Sequence, residues 1–314
     1  MPQNSVTAAV TMNNRYSTGL LLAMLATCLY AMKGVLVKLI YQLGVDSVSV
    51  MALRMFFSLP IYLFIGLWLW RKTPMAGKQM RQNGLACASI GIFGYYLATY
   101  LDLQGLNFIS SQLAGLVSFS YPTFVLLLNW LIFRKPITAT MLSTLVLTYI
   151  GILLLFGHEF SVAGQKVGVG TLLALGSALS FAFYMIFSKV IMAKISSGLF
   201  TCIAMSAAGI CIIIHFVLSG SYQTLVLTWP VLLLSFGMAI GCTVAPSFLL
   251  SEAINRIGSN QTAILGSLGP VVTAIMAVTI LAEPFSLYHL LGMVFVVLAT
   301  AGVVFWPPRS KHTP

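Results

Sequence analysis

Long apolar segments separated by short polar ones make up almost the whole chain. A helix needs about 20 mainly apolar residues to cross about 30 Å of hydrocarbon, and ten segments approach or exceed that length. Hydrophobic residues account for 59% of the 314 positions and charged residues for 7%, whereas a soluble domain carries about 25% charged residues. We therefore predict an all-α membrane protein with ten transmembrane helices. The predicted spans are Ser17–Tyr41, Val48–Trp70, Gly84–Leu103, Ser111–Phe133, Thr138–Phe156, Val169–Val190, Leu199–Leu218, Thr228–Leu250, Gln261–Leu281 and Leu287–Trp306.

The basic residues are concentrated in alternate loops. The net charge of +11 lies in short connections rather than on one amphipathic face, so it indicates topology and not nucleic-acid binding. Twelve lysines and arginines fall on one side and only Lys38 and Lys166 on the other. The positive-inside rule then places both termini in the cytoplasm. Residues 1–16 and 307–314 are predicted as cytoplasmic tails. The first segment has no signal-peptide cleavage pattern, so we expect the first span to be retained.

The two halves of the sequence match each other. A separation of 148 residues relates Asn107 to Asn255, Ile109 to Ile257, Ser111 to Ser259, Pro122 to Pro270 and Pro136 to Pro284. Residues 17–157 and 158–306 are therefore predicted as two five-helix repeats. Five spans per repeat is an odd number, so the repeats must be inverted in the membrane. The repeat relation also places Lys135 and Glu283 on opposite faces, basic inside and acidic outside, as the charge rule favours.

These features resemble the EamA-type members of the drug/metabolite transporter superfamily. The resemblance covers nearly the whole chain and depends on the five-plus-five pattern, on Lys38 closing the first span and on the Ala-Leu-Arg ending at Arg54. It also includes the segments RKPIT and AEPFS that follow the fourth and ninth spans. The chain departs from the family at Tyr30-Ala-Met-Lys33, where a Trp-Gly-Ser/Asn run is common, and at Lys135, where Glu is common. The resemblance implies alternating access around a central cavity, with small metabolites or toxic compounds as cargo, often exported.

Two prolines interrupt equivalent spans. Pro122 and Pro270 lie inside the fourth and ninth spans, where proline removes a backbone hydrogen bond and kinks the helix. Inverted-repeat transporters bind substrate near the midplane, beside such interruptions. We predict that both prolines lie at the cavity; the alternative is a packing kink.

Two cations are predicted inside the spans. Lys33 and Arg54 lie in the outer half of the bilayer, where a charge costs about 2.5–3.5 kcal/mol, so both are functional candidates. A cationic cavity would attract a carboxylate or phosphate, which arginine binds through two hydrogen bonds. The structural alternative for Arg54 is a partnership with Asp102 or with backbone carbonyls.

Tyrosines form the third group of candidates. They can stack on flat ligands and donate hydrogen bonds, although packing and interfacial anchoring are common alternatives. The tyrosines assigned to the cavity are Tyr96, Tyr100, Tyr121 and Tyr184.

Four charges near the span ends are predicted to form gates. Lys38 and Asp102 end spans on the external side, whereas Lys189 and Glu252 do so on the cytoplasmic side. We hypothesise one ion pair at each mouth, because even an exposed pair worth about 0–1 kcal/mol can bias two states. The alternative is charge that serves only to orient the chain.

No motif for catalysis, metal or cofactor is present. The sequence has no HExxH, GxSxG or Walker-type loop, and its five cysteines lie in apolar segments without CxxC spacing. We predict a secondary or facilitated transporter, not an enzyme, with a small-molecule substrate and the lipid bilayer as partners and no cofactor. It would export amino acid-like, aromatic or carboxylated metabolites across the inner membrane. Alternatives are a multidrug or organic-cation efflux carrier, a channel or sensor, and an intramembrane enzyme. Proton coupling and oligomeric state are left open.

Overall fold

Helices dominate the computed structural model, which describes residues 3–72, 76–134, 139–223 and 225–305. Across these ranges the regular structure is entirely helical. Helices satisfy their own backbone groups, which lipid cannot do. Eight stretches of the described chain are long and apolar enough to cross a membrane. The predicted all-helical, multi-pass membrane fold is therefore confirmed. Lys135, Pro136 and the predicted tail 307–314 lie outside the described residues.

Within the described residues, each half contains seven α-helices. The first half contains α1 (Gln3–Gln42), α2 (Ser47–Lys72), α3 (Ala76–Gly91), α4 (Leu97–Gly105), α5 (Ser111–Ser118), α6 (Tyr121–Phe133) and α7 (Ala139–Ala163). The second half contains α8 (Gln165–Met192), α9 (Ser197–Ser219), α10 (Trp229–Ala239), α11 (Ala245–Ile257), α12 (Ser259–Leu265), α13 (Gly269–Leu281) and α14 (Leu287–Phe305). Helix α1 starts at Gln3, so the segment predicted as a tail is helical there, although the apolar span begins only at Tyr16. Helices α7 and α14 stand where the fifth and tenth spans were predicted.

Two π turns lie at equivalent places in the halves. Ile92–Tyr96 joins α3 to α4, and Ile240–Val244 joins α10 to α11, 148 residues later. A π turn leaves the regular hydrogen-bond ladder, so its carbonyls need other donors. Ser180 of α8 donates to a carbonyl of the first turn, and Tyr62 of α2 donates to one of the second at 3.1 Å. Each turn is thus held by a hydroxyl from a neighbouring helix.

The fourth and ninth predicted spans are both interrupted. Helix α5 gives way to α6, and α12 to α13, just before Pro122 and Pro270. Proline has no N–H to lose in the first turn of a helix, so it suits the start of α6 and α13. Both spans also end alike, with Arg134 and Ala282 in the left-handed conformation at φ 52°.

The first helix of each half packs against the other half. Helix α1 packs against α11 and α13 of the second half, whereas α8 packs against α4 and α6 of the first. Helix α2 meets α9, and α7 meets α14. The first helix of each half therefore contacts the third and fourth spans of the other half, and a shared space lies between them.

Gly94, in the first π turn, allows α8 to approach closely. A Cβ at this position would lie 2.5 Å from Tyr184 Cβ and 2.9 Å from its Cα, so the α8 backbone would have to move. We expect Gly94→Ala to lower the midpoint of thermal unfolding in detergent by about 2–5 °C, because such overpacking costs about 1–3 kcal/mol. Gly84→Ala is the control, since its Cβ would meet only Met80 Cγ at an ordinary 3.7 Å. Equal midpoints for the two variants would contradict this close packing.

Candidate substrate cavity

A cavity of about 170 Å³ lies between the two halves. Its walls come from α1, α2, α4 and α5 of the first half and from α8, α11 and α13 of the second. Three charged side chains line it, Lys33, Arg54 and Asp102, among apolar, aromatic and hydroxyl-bearing neighbours. A concave, largely apolar site with a few converging polar groups is typical of small-molecule binding.

Arg54 brings a positive charge to the cavity, and no carboxylate of the described residues pairs with it. Its side chain is 1% exposed, and Nη2 donates to Thr99 Oγ1 at 3.3 Å. The guanidinium carbon lies 5.7 Å from the centre of the Tyr95 ring. Its Nε has no hydrogen-bond partner, and neither ion pair of the described residues includes it. Burying an unpaired charge is costly, and a guanidinium can hold a carboxylate with two parallel bonds. The site therefore fits an anionic group.

Lys33 and Asp102 form an ion pair in the cavity wall. Lys33 Nζ lies 2.6 Å from Asp102 Oδ2, with the two side chains 24% and 7% exposed. The sequence hypothesis paired Asp102 with Lys38 instead. Residues five apart on a helix point about 140° away from each other, and Lys38 Nζ donates to the Ile109 carbonyl at 2.8 Å. With Arg54 included, the three charges of the wall sum to +1.

The hypothesised cytoplasmic pair also has other partners. Glu252 Oε1 accepts from Arg256 Nε at 2.7 Å, one turn along α11. Lys189 Nζ donates to the Asn255 carbonyl at 2.6 Å. Lys189 therefore makes the same kind of bond as its repeat counterpart Lys38. The structure brings both lysines to backbone carbonyls and both acids to other cations.

Aromatic rings form the rest of the wall. Tyr121 lines the cavity, as the sequence predicted, and its hydroxyl donates to the Ala263 carbonyl at 3.0 Å. Its ring lies 5.4 Å from that of Phe181 in an edge-on arrangement. Tyr30 and Tyr95 complete this surface. Such rings offer flat apolar area together with hydroxyl groups.

The other three predicted tyrosines do not line the cavity. Tyr96 shares a hydrogen bond of 3.1 Å with His215 Nδ1, and the Tyr100 ring lies 5.1 Å from the same imidazole. Tyr95 lines the cavity together with Asp102, seven positions later, because residues at this spacing share one face of a helix, whereas Tyr96 and Tyr100 share another. Tyr184 is 2% exposed and stacks behind Phe181, with ring centres 5.9 Å apart.

The two prolines lie next to the cavity wall and are not part of its lining. Pro122 and Pro270 lie in the first turn of α6 and α13, whereas Tyr121 and Gly269, which begin these helices, line the cavity. The break before each proline is what brings this backbone to the site.

Several wall residues escaped sequence reasoning. Thr99 precedes Asp102 by three positions and so shares its helix face, a signal that was available. Ser177 and Phe181 stand four apart on α8 and likewise face the same way. Nothing in the sequence singled out Tyr30 except its position three residues before Lys33.

Metal-binding groups do not cluster in the described ranges. No three His, Cys, Asp or Glu side chains of those ranges come together as ligands. The five cysteines are free thiols, three of them buried. That the protein needs no metal or cofactor stays a prediction.

Relatives with similar sequences are named as transporters. "Uncharacterized transporter YcbK" of Bacillus subtilis (strain 168) is 26% identical over 282 residues, covering 88% of this chain and 89% of that protein. "Uncharacterized transporter sll1319" of Synechocystis sp. is 24% identical over 309 residues, with 90% and 92% coverage. One solved crystal structure superposes with a TM-score of 0.71 at 16% identity, covering 93% of this chain and 98% of the other. An identity this low shows a shared fold alone.

A family match covers both halves separately. The EamA-like transporter family matches residues 17–157 and again residues 168–305. Together the two matches span most of the chain, and the relatives agree with them. This protein therefore belongs to the EamA-like transporter family, within the drug/metabolite transporter superfamily.

Proposed function

We propose that the protein is a secondary or facilitated carrier for small organic carboxylates, amino acid-like or aromatic, across the inner membrane. The observation that carries this proposal is Arg54, a buried cation in the cavity that forms no ion pair with any carboxylate of the described residues. A carboxylate would supply the missing acceptors and reduce the charge of the wall from +1 to zero. The aromatic surface beside it suits an apolar or flat substrate body.

Ten helices in two inverted repeats give this carrier its proposed architecture. Three features support a two-fold relation: the equivalent π turns, the equivalent interrupted spans, and the packing of α1 and α8 each against the other half. The asymmetric distribution of basic residues supports cytoplasmic termini. With the cavity between the halves, rocking one against the other would expose it to either side in turn. Export is the direction that the family resemblance favours.

Organic-cation efflux is the second candidate. The carboxylate of Asp102 and the aromatic wall could receive a cation. However, Lys33 already occupies that carboxylate at 2.6 Å, so a cationic substrate would first have to displace it.

Counterflow with purified protein in liposomes tests the proposal. The panel should contain matched compounds: an aromatic amino acid, its decarboxylated amine and its deaminated carboxylic acid. We expect saturable exchange of the compounds that keep the carboxylate and at least about 100-fold weaker exchange of the amine, because only a carboxylate can use both donors of Arg54. Exchange confined to the amine would favour the cation carrier, and a non-saturable flux would indicate a channel. Repeating the assay with a pH gradient would show whether protons are coupled.

A further inference from the structure

The carboxylate of Glu283 joins the two halves at the cavity. Glu283 lies between α13 and α14, and its oxygens accept from the backbone N–H groups of Ser111 at 3.0 Å and Gln112 at 3.4 Å. The Gln112 side-chain amide donates in return to the Pro284 carbonyl at 3.2 Å. Three hydrogen bonds thus tie a loop of the second half to the first turn of α5. Ser111 itself lines the cavity.

Glu283 completes the cap of α5. The first four N–H groups of a helix have no partner within it. Here Leu113 N donates to the Ser110 side chain at 2.9 Å, whereas Ala114 N begins the regular ladder on the Ser110 carbonyl at 3.0 Å. The N–H groups of Ser111 and Gln112 point to Glu283. The helix dipole further favours a carboxylate at this end. A movement of the loop away from α5 would leave both N–H groups without this acceptor.

The sequence does not repeat this carboxylate on the opposite face. The repeat relation puts Lys135 where the second half has Glu283, and Lys135 lies outside the described residues. An ammonium group has no acceptor, so this side chain could not replace the Glu283 carboxylate. Gly258, at the start of α12, stands where α5 has Ser110 and has no side-chain oxygen either. By sequence, a carboxylate at this repeat position is therefore specific to one face.

We propose that Glu283 is a latch that holds the face bearing Glu283 and Asp46 closed in alternating access. Its bonds are charge-assisted and cross between the halves, so they form only when the loop rests on α5. Because the repeat position on the other face carries Lys135 and no carboxylate, the latch biases the carrier towards states closed on this face. This inference depends on the alternating-access mechanism proposed above and not on the identity of the substrate.

Cysteine labelling from each side of the membrane tests the latch. Ala178 lines the cavity, and Ala178→Cys would react with a membrane-impermeant maleimide in right-side-out or inside-out vesicles. We expect Glu283→Gln to raise its labelling rate from the latched face about tenfold and to lower it from the other. Asp46→Asn is the matched control. Asp46 accepts from Val48 N at 3.0 Å and Ser49 N at 3.2 Å, the same chemistry within its own helix, so its loss should change labelling less than twofold.

A second variant keeps the test independent of folding defects in Glu283→Gln. Gln112→Cys with Pro284→Cys would lock the contact on oxidation. Labelling of Ala178→Cys from the latched face should then fall and return on reduction. The proposal is overturned if Glu283→Gln leaves labelling unchanged, if Asp46→Asn changes it equally, or if the locked contact has no effect. No substrate is used, so these results are separate from the counterflow experiment.

Discussion

Replacing Arg54 by methionine should abolish carboxylate transport and, at the same time, raise the thermal stability of the protein. Two charge-assisted bonds to a carboxylate contribute about 1.5–3 kcal/mol each, so we expect kcat/KM to fall at least about 100-fold. The same side chain is 1% exposed and has a hydrogen-bonding group without a partner. Removing a buried, unpaired charge relieves its desolvation, and methionine fills similar space. The midpoint of thermal unfolding should therefore rise by a few degrees.

Arg256→Met serves as the control for this experiment. Arg256 forms a local pair with Glu252 and its side chain is 29% exposed, so its removal should change kcat/KM less than about threefold and the unfolding midpoint by less than about 2 °C. The kcat/KM of Arg54→Lys should lie between those of Arg54→Met and Arg256→Met, because lysine keeps the charge and loses the planar guanidinium. A lower midpoint for Arg54→Met would mean that Arg54 stabilises the fold. Unchanged transport would remove it from the site.

The paired features of the two halves were predictable because they depend on local residue chemistry. Proline is favoured in the first turn of a helix and disfavoured in its interior, so Pro122 and Pro270 indicated both interruptions. The 148-residue relation also holds for features that no residue type announces, the π turns Ile92–Tyr96 and Ile240–Val244. The repeat was thus visible in sequence, whereas the form of the backbone inside it was not.

The tyrosines of the third span show a signal that sequence reasoning did not use. Tyr96 and Tyr100 were predicted to lie in the cavity. At helical spacing, however, Tyr95 shares a face with Asp102, and Tyr96 shares another with Tyr100. In the structure the first face lines the cavity and the second meets His215 on α9. Position in a span predicts depth in the membrane, whereas the rotation of the helix decides which neighbour a side chain meets.

The partners of the ion pairs likewise depend on how the helices are rotated against each other, which the sequence does not give. Lys33 and Lys38 both lie on α1 towards the same membrane face as Asp102, and composition does not distinguish them. The rotation of α1 against α4 selects Lys33. Glu283 is a stronger case, since its partners Ser111 and Gln112 are about 170 residues away in the chain. Its opposite charge to Lys135 could be read from the repeat, but the helix end that it caps could not.

Neutralising Lys33 and Asp102, singly and together, should decide whether Lys33 contacts the substrate. Lys33→Gln leaves Asp102 unneutralised and takes the wall from +1 to zero. Arg54 donates to Thr99, which lies one helical turn from Asp102, so an anion bound at Arg54 would lie about 6 Å from the Asp102 carboxylate. At an effective dielectric of about 20, two negative charges at that distance repel each other by about 3 kcal/mol. We therefore expect affinity for a carboxylate to fall about 100-fold, as measured by substrate-dependent thermal shifts or by counterflow.

The double variant Lys33→Gln, Asp102→Asn restores the wall to +1 and should recover affinity to within about threefold of the wild type. Asp102→Asn alone leaves +2 and should bind an anion at least as tightly as the wild type. Recovery is expected because Lys33 Nζ already lies 2.6 Å from Asp102, so its charge is used to neutralise that carboxylate. Arg54 would then be the group that binds the anion. A double variant as weak as Lys33→Gln would instead mean that the ammonium group touches the substrate, since no carboxylate would remain for it to neutralise.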